Sequence, residues 1–365
     1  MKALVAMSGG VDSSVAVSLM LDEGYDVVGV TLKQWEGPGG AMPTAGCCTV
    51  GDAEDARRAA AQLDIPYYVL DYVDEFRSAV VDPFGAEYMA GRTPNPCIEC
   101  NRKVRFSALL ERTERLGCDV LVTGHHARIR RRPDHSYALL TANDKSKDQS
   151  YVLHMLGQAE LSMIRLPVGE MLKADVRELA RDLGLRTAAK PDSQDLCFVG
   201  RGDYRDFLRE HHPETAAPGE IVDVEGTPLG GHNGTVNFTI GQRKGLGVAL
   251  GEPRYVVDVQ PATRRVVIGT KRDLEVNGCV VDEVSFVGTV PPPTADVHVK
   301  VRYRAEPVPA VAVDRDGRRH VMFARPQIGV APGQAAVFYD GEEVLGGGTI
   351  VAPIREDVGG VRVGS

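Results

Sequence analysis

The chain has 365 residues, of which 43% are hydrophobic and 25% charged, a composition that predicts an ordinary globular protein of two or three domains. No apolar run is long enough to span a bilayer, and the apolar part of MKALVAMSGG is too short for a signal peptide; a membrane partner is therefore not expected and a cytoplasmic location is. A net charge of −8 speaks against a uniformly basic nucleic-acid binder, but leaves local basic patches open.

The chain opens on an apolar run, Ala3 to Met7, which predicts a buried first strand. Ser8-Gly9-Gly10-Val11-Asp12-Ser13-Ser14 follows, and a helix is expected from about Ser14. Glycines between a strand and a helix let backbone N–H groups approach an anion, and the helix end adds partial positive charge. The segment is therefore a candidate phosphate cradle, although it has no lysine of the GxxxxGK[ST] type. The alternative is a plain Gly/Ser turn. Strands are expected at Val27–Leu32, Tyr67–Leu70 and Val120–Thr123, and helices at Ala53–Leu63, Phe106–Leu116 and Asp175–Leu183. This alternation predicts an α/β domain with a parallel sheet.

A different texture begins near residue 212. The stretch from Pro213 to Pro228 is broken by Gly and Pro, and strands are expected at Thr235–Ile240, Tyr255–Val259 and Arg265–Gly269. Past residue 274, Val297 to Arg304 alternates apolar and basic side chains. With Ala310–Val313, Val321–Ala324 and Ala335–Tyr339 it predicts a compact β-barrel. The expected division is 1–211 for a catalytic domain, 212–273 for a small β-rich central domain and 274–354 for the barrel, with 355–365 as a tail.

Seven cysteines (47, 48, 97, 100, 118, 197 and 279) in a reducing compartment do not make a disulfide framework. In Thr93-Pro94-Asn95-Pro96-Cys97-Ile98-Glu99-Cys100, the thiols fall in a loop or first helical turn. Arg102, Lys103 and Arg105 close by are expected to favour thiolate at Cys100. A CxxC of this kind is a redox pair, half a metal site, or one reactive thiol with a bystander. A closed zinc site wants four ligands, and no second CxxC or HxxxH is present. Cys197, in KPDSQDLCFVG, reads from its apolar neighbours as a core residue, and Asp192 and Asp195 should disfavour its thiolate. Cys47 and Cys48 lie in a Gly/Pro-rich loop, Gly37–Gly51, placed to cover the candidate phosphate site; Cys118 and Cys279 read as core. Basic clusters at Arg128 and Arg130–Arg132, Arg102–Arg105, Lys145 and Lys147, Arg243-Lys244, and Lys300–Arg304 point together to a polyanionic partner.

The segments SGGVDSS, TPNPCIECN, TGHHAR, KDQSYVL, KPDSQDLCFVG and FTIGQRKGLG occur in the order found in tRNA-specific 2-thiouridylases, from Lys2 to about Gly348. The chain thus resembles that family, within the ATP-pyrophosphatase (PP-loop) superfamily. The resemblance implies an adenine-nucleotide α-hydrolase-like domain, a small central domain and a C-terminal β-barrel. It implies ATP-dependent 2-thiolation of the tRNA wobble uridine: ATP adenylates O2, and a cysteine persulfide sulfur attacks C2, giving 2-thiouridine, AMP and pyrophosphate. Cys197 would carry the persulfide and Cys100 would be the second thiol, forming a disulfide with Cys197. ATP would be held by Ala6, Met7, Ser8, Gly9, Gly10, Val11, Asp12 and Ser13, with Leu32 and Gly124 at the adenosine, and Mg²⁺ is expected. His125, Lys147, Asp148, Gln149, Tyr303, Arg304 and Gln334 match positions that touch tRNA. A sulfur-donor protein, either a cysteine desulfurase or a relay, is implied, and the enzyme is expected to act as a monomer without a permanent cofactor.

One departure keeps a second mechanism open. Many relatives carry Asp where this chain has Cys97. Cys97, Cys100 and Cys197 together suit a [4Fe–4S] cluster, which would carry the sulfur instead of a persulfide. A non-catalytic tRNA- or adenylate-binding protein is the reading from another class.

Overall fold

The computed structural model describes residues 1–36, 49–192, 196–199, 203–248 and 251–355. Cys47, Cys48 and Asp195 lie outside the described residues, as does most of the Gly37–Gly51 loop.

The N-terminal domain is built on a parallel sheet of β1 (Lys2–Ala6), β2 (Asp26–Lys33), β3 (Tyr67–Asp71), β4 (Val120–Thr123) and the short β7 (Ile164–Arg165), in the order β3-β2-β1-β4-β7. Both faces are covered, as parallel sheets require. Ala3 and Val5 point into one core, shared with α1 (Val11–Asp22), α2 (Val50–Gln62) and the later α3 (Lys173–Asp182). Leu4 points into the other, which gathers Phe76, Phe84, Val104 and Phe198. Strand order reverses beside β1, so the carboxyl ends of β1 and β4 flank a switch-point crevice, where α/β sheets bind ligands.

The central domain pairs β8 (Pro218–Val222), β9 (Pro228–Asn233), β10 (Tyr255–Gln260) and β11 (Arg265–Gly269) around Ile221, Val256, Val266 and Ile268. The strand expected at Thr235–Ile240 is not formed. Thr235–Asn237 is a 3₁₀ turn that follows Gly234, whose φ of 115° and close approach to the Thr215 carbonyl turn the chain sharply. Val236 and Phe238 are still buried, so the alternation reflects anchoring and not a ladder.

The last domain closes into a six-strand antiparallel barrel: β12 (Val276–Phe286), β15 (Arg318–Gln327), β14 (Val308–Arg315), β13 (Thr294–Lys300), β16 (Ala335–Asp340) and β17 (Glu343–Ile354), which pairs back onto β12. A hairpin from the N-terminal half, β5 (Ala127–Arg131) and β6 (Tyr137–Thr141), adds to β17 through Leu139↔Val344 and Leu140↔Glu343. The two regions share one core, in which Tyr339, Val337 and Val344 of the barrel pack with Leu139, Tyr151 and Leu153. The barrel is thus fixed against the parallel-sheet domain.

That arrangement gives three of the basic residues structural partners. Arg128 donates to Glu342 at 2.6 Å, Arg132 pairs with Glu343, and Lys145 with Glu342, so these cations staple the hairpin to the barrel. β13 also ends at Lys300, earlier than the alternation predicted. Tyr303 and Arg304 therefore lie in the turn that follows and not on a strand. No helix among the described residues is long and apolar enough to cross a membrane.

Candidate active site

The loop after β1 has the geometry expected of an anion cradle. Gly9 adopts φ of 70°, and a Cβ there would sit 2.1 Å from the Asp52 carbonyl oxygen, so only glycine fits where the loop passes the first turn of α2. Gly10 is the extended N-cap of α1, which begins at Val11, and no side chain caps that helix end. Ser8 donates its backbone N–H to Ser13 Oγ at 3.1 Å, and Ser14 Oγ donates to the Gly10 carbonyl at 2.9 Å, which tightens the turn. Ala6 and Met7 close the strand behind it, and Met7 accepts a bond from Thr31 Oγ1 at 2.6 Å. Gly124, at the end of β4, packs so closely that a Cβ would meet the Ser13 nitrogen at 2.7 Å. Leu32 is buried near the end of β2.

Asp12 is the charged centre of this loop. Lys173 Nζ donates to both its oxygens at 2.7 and 2.6 Å, and His126 Nε2 donates to Oδ1 at 3.0 Å. Burial alone would raise the Asp12 carboxyl, but its bonds to His126 and Lys173 outweigh that and hold it below the usual range. Lys173 also reaches Asp192 at 3.0 Å, and Asp192 is bonded by Lys147 at 2.9 Å and by Arg177 at 2.8 Å. Burial again opposes ionisation, yet the bonds from Lys147 and Lys173 hold Asp192 down at about 2. Two residues earlier, Lys190 Nζ donates to the Gly9 carbonyl, Asp52 and Asp55 at 2.9, 2.7 and 2.7 Å. Lys190 and Asp192 are thus tied to the loop after β1, the first by its own bonds and the second through Lys173. The negative charge expected from Asp192 near Cys197 is neutralised by three cations.

The thiol of Cys100 lies at the same carboxyl edge, beside Gln34, with Cys97 in the turn before it. Asn95 Oδ1 accepts from the Cys97 N–H at 3.1 Å and caps the turn Pro96–Glu99, with Pro96 at its first position. The helix continues as a nine-residue π-helical stretch, Cys100–Ala108, a rare geometry that concentrates at functional sites. Cys97 is exposed and Cys100 buried. Gln34, just past the end of β2, donates from Nε2 to Cys100 Sγ at 3.3 Å. Cys100 belongs to the large core cluster, and the half-buried Cys197 packs against that same cluster. The cations near Cys100 have partners of their own. Arg102 and Lys103 pair with Glu99 at 3.6 and 3.2 Å, and Arg105 approaches His125 Nε2 at 3.4 Å. No three His, Cys, Asp or Glu side chains among the described residues are gathered to hold a metal ion.

The residues expected to touch tRNA divide into two groups. Tyr303 is 38% exposed, with its ring edge-on to Tyr151 at 6.0 Å, and Arg304 beside it is exposed. Lys147 is half-exposed but bound to Asp192. The others are bonded to neighbouring segments. His125 is 7% exposed and bonds Thr123 Oγ1 at 2.8 Å; Asp148 accepts from the Ala142 N–H at 3.0 Å; Gln149 Oε1 accepts from the His126 N–H at 2.8 Å. Gln334 donates to the Thr93 carbonyl at 2.7 Å, clamping the approach to Cys97 against the barrel. His125 and Asp148 are buried, and Gln149 and Gln334 partly so. Sequence reasoning passed over Lys173, His126 and Gln34. His126 was visible inside TGHHAR, whereas the lone lysine at the start of α3 carried no signal.

Two buried neutral histidines set the acid limit of the fold. Burial pushes His125 down to about 3 and His154 down to about 4. The unfolded chain gains these protons near pH 6.5 and the folded one does not. Stability should thus fall as pH drops from about 6.5 toward 4, by about 1.4 kcal/mol per pH unit for each histidine. The lowered carboxyls of Asp12 and Asp192 add their own loss only below about pH 4. Urea titrations at stepped pH should show a shallower slope for His154→Gln than for wild type; an unchanged slope would rule out a neutral buried His154.

A parallel-sheet α/β fold whose carboxyl edge carries the glycine loop after β1 and, beside Gln34, the thiol of Cys100 defines the class. Residues 1–201 match the family described as the tRNA methyl transferase HUP domain, 205–270 its PRC-barrel domain, and 276–350 the aminomethyltransferase beta-barrel domain. A tRNA-specific 2-thiouridylase MnmA from Chloroflexus aurantiacus is 49% identical over 352 residues, covering 96% of this chain and 98% of that one. The MnmA of Carboxydothermus hydrogenoformans is 49% identical over 355 residues, covering 96% and 97%. Among solved structures, a 4-thiouridine synthetase–RNA complex with bound ATP aligns with TM-score 0.36 and 17% identity, over 58% of this chain and 50% of that one. The chain belongs to the tRNA-specific 2-thiouridylase MnmA family.

Proposed function

We propose that this protein is a tRNA-uridine 2-sulfurtransferase that thiolates the wobble uridine at the expense of ATP. The observation that carries the reading is that one carboxyl edge of the sheet holds both the phosphate cradle after β1 and, through Gln34 after β2, the thiol of Cys100. Uridine O2 attacks the α-phosphorus; the bond to the β-phosphate oxygen breaks, and its electron pair leaves with pyrophosphate. Adenylation converts O2 into a good leaving group. The terminal sulfur of a Cys197 persulfide then adds to C2. Cys100 thiolate attacks Cys197 Sγ, the persulfide S–S bond breaks, and its electrons pass to the sulfur on C2 as AMP departs. The product is 2-thiouridine, with a Cys100–Cys197 disulfide that an external dithiol must reduce.

Magnesium would enter with the nucleotide. The loop holds one carboxylate, Asp12, whose oxygens are bonded by Lys173 and His126, so the ion would be held chiefly by phosphate and water. Tyr303 suits stacking on an extruded base, and Arg304 a phosphate contact; an anticodon-loop base is cheap to unstack. A cysteine desulfurase or a relay protein supplies the sulfur, and one copy of the chain in the cytoplasm acts on one tRNA. The domain division at about residues 211 and 273 belongs to the same proposal, with the hairpin β5–β6 as the piece that crosses it.

The test is ATP-dependent formation of 2-thiouridine in tRNA by iron-free protein, with a cysteine desulfurase and labelled cysteine, read by nucleoside digestion. Labelled 2-thiouridine at the wobble position is expected. Thiolation without ATP, or only at another position, would overturn the assignment, and dependence on rebuilt iron–sulfide would replace the persulfide by a cluster.

A further inference from the structure

The disulfide left by each turnover would join Cys100, only 6% exposed, to the half-buried Cys197, where an external dithiol reaches it poorly. We propose that Cys97 is the resolving thiol of this reaction: it takes the disulfide over from Cys197 and presents it to the reductant at the surface. This rests on the two-thiol reading above.

Among the described cysteines only Cys97 is exposed, and it stands on the same helical turn as Cys100. The Cys100 N–H donates back to the Cys97 carbonyl, which fixes their relation. Cα atoms three residues apart on a helix are about 5 Å apart, inside the span of about 4.4–6.8 Å that a disulfide bridges. The approach to the turn is anchored on the barrel. Thr93 donates its N–H to the Pro332 carbonyl at 2.8 Å, and its carbonyl accepts from Gln334 at 2.7 Å. Cys97 is therefore held beside Cys100 and still faces solvent. A thiol so placed meets its neighbour's sulfur at an effective concentration that no dissolved dithiol matches. Cys97, its proton lost to solvent, attacks Cys100 Sγ; the Cys100–Cys197 bond breaks, and its electron pair leaves on Cys197 as thiolate. A protein dithiol then attacks the exposed Cys97 Sγ, and Cys100 departs as thiolate. The second thiol of the reductant attacks its first, which releases Cys97 reduced and leaves the reductant oxidised. Cys197 is meanwhile free to take the next persulfide sulfur, so resolution and reloading can overlap.

The position of the disulfide after one turnover separates this role from that of a bystander. Full-length protein is loaded with sulfur by a cysteine desulfurase, freed of reductant and given ATP and tRNA. It is then quenched in acid, alkylated with N-ethylmaleimide and mapped by peptide mass spectrometry without reduction. Wild type should carry a Cys97–Cys100 bond with Cys197 alkylated, whereas Cys97→Ser should carry Cys100–Cys197. With thioredoxin as the reductant, later turnovers of Cys97→Ser should be slower than those of wild type by at least about tenfold, a loss that its first turnover does not share. A Cys100–Cys197 bond in wild type with Cys97 alkylated, or equal steady-state rates on thioredoxin, overturns the proposal. Formation of 2-thiouridine with no disulfide in either protein sinks the two-thiol reading itself, and this proposal with it, a result distinct from the other two.

Discussion

Gly9→Ala is expected to lower ATP-dependent thiolation about a hundredfold, the scale on which a displacement of about 1 Å in a positioning element acts. Two effects combine. An alanine at φ of 70° pays about 1–2 kcal/mol for the left-handed backbone. Its Cβ would also stand 2.1 Å from the Asp52 carbonyl oxygen and 2.7 Å from its carbon, and these are backbone atoms of a capped helix that do not swing aside. Asp52 is held on both sides, by its reciprocal cap with Thr49 and by Lys190. The loop must therefore yield and not α2, carrying Gly10 and the head of α1 out of line. Gly24→Ala is the control, because its φ is 82° and nothing lies within 4 Å of the added methyl. That variant bears the backbone strain alone, and should lose about 1 kcal/mol of stability with turnover intact. Equal turnover for both variants, measured with saturating tRNA and a titration of ATP, would show that the loop does not hold the nucleotide.

What the sequence made legible was whatever depends on local order. A strand followed by Gly9-Gly10 and a helix could be read directly, as could the strands Val120–Thr123 and Arg265–Gly269, since short apolar runs between turn residues have few other outcomes. Asn95 and Pro96 announce the helical turn that presents Cys97. Contacts between distant segments left no such trace. Nothing in the alternation of Ala127 to Thr141 says that its partner is β17, some two hundred residues on, or that Arg128 and Arg132 pair with carboxylates of the barrel. The same blindness hid Lys173, whose meaning lies wholly in Asp12 and Asp192. It also favoured His125 over His126, because only the fold shows which ring turns toward Asp12 and which is sealed against Phe106 and Arg105. Periodicity likewise overran the end of β13, because Val301 is buried beyond the last ladder pair.

Cys97→Ser, Cys100→Ser and Cys197→Ser should separate into three behaviours when the protein is loaded with labelled sulfur from a desulfurase and then given ATP and tRNA. Cys97 is exposed, and its serine variant should transfer sulfur within about threefold of wild type, as surface changes generally allow. Cys197→Ser should neither retain reducible label nor thiolate tRNA, a loss of at least about three orders of magnitude for a missing nucleophile. Cys100→Ser should retain the label on Cys197 and yet fail to release it, because no thiolate remains to take the Cys197 sulfur. The geometry gives a reason for this division. Cys100 is buried in the core cluster under the amide of Gln34, where it can wait without meeting a sulfur donor. Cys197 is half-exposed at the end of a segment moored to the phosphate loop by Lys190 and Asp192, open to a donor on one side. Label held by Cys197→Ser and absent from Cys100→Ser would reverse the two roles. A requirement for all three cysteines, together with iron, would replace the persulfide by a cluster.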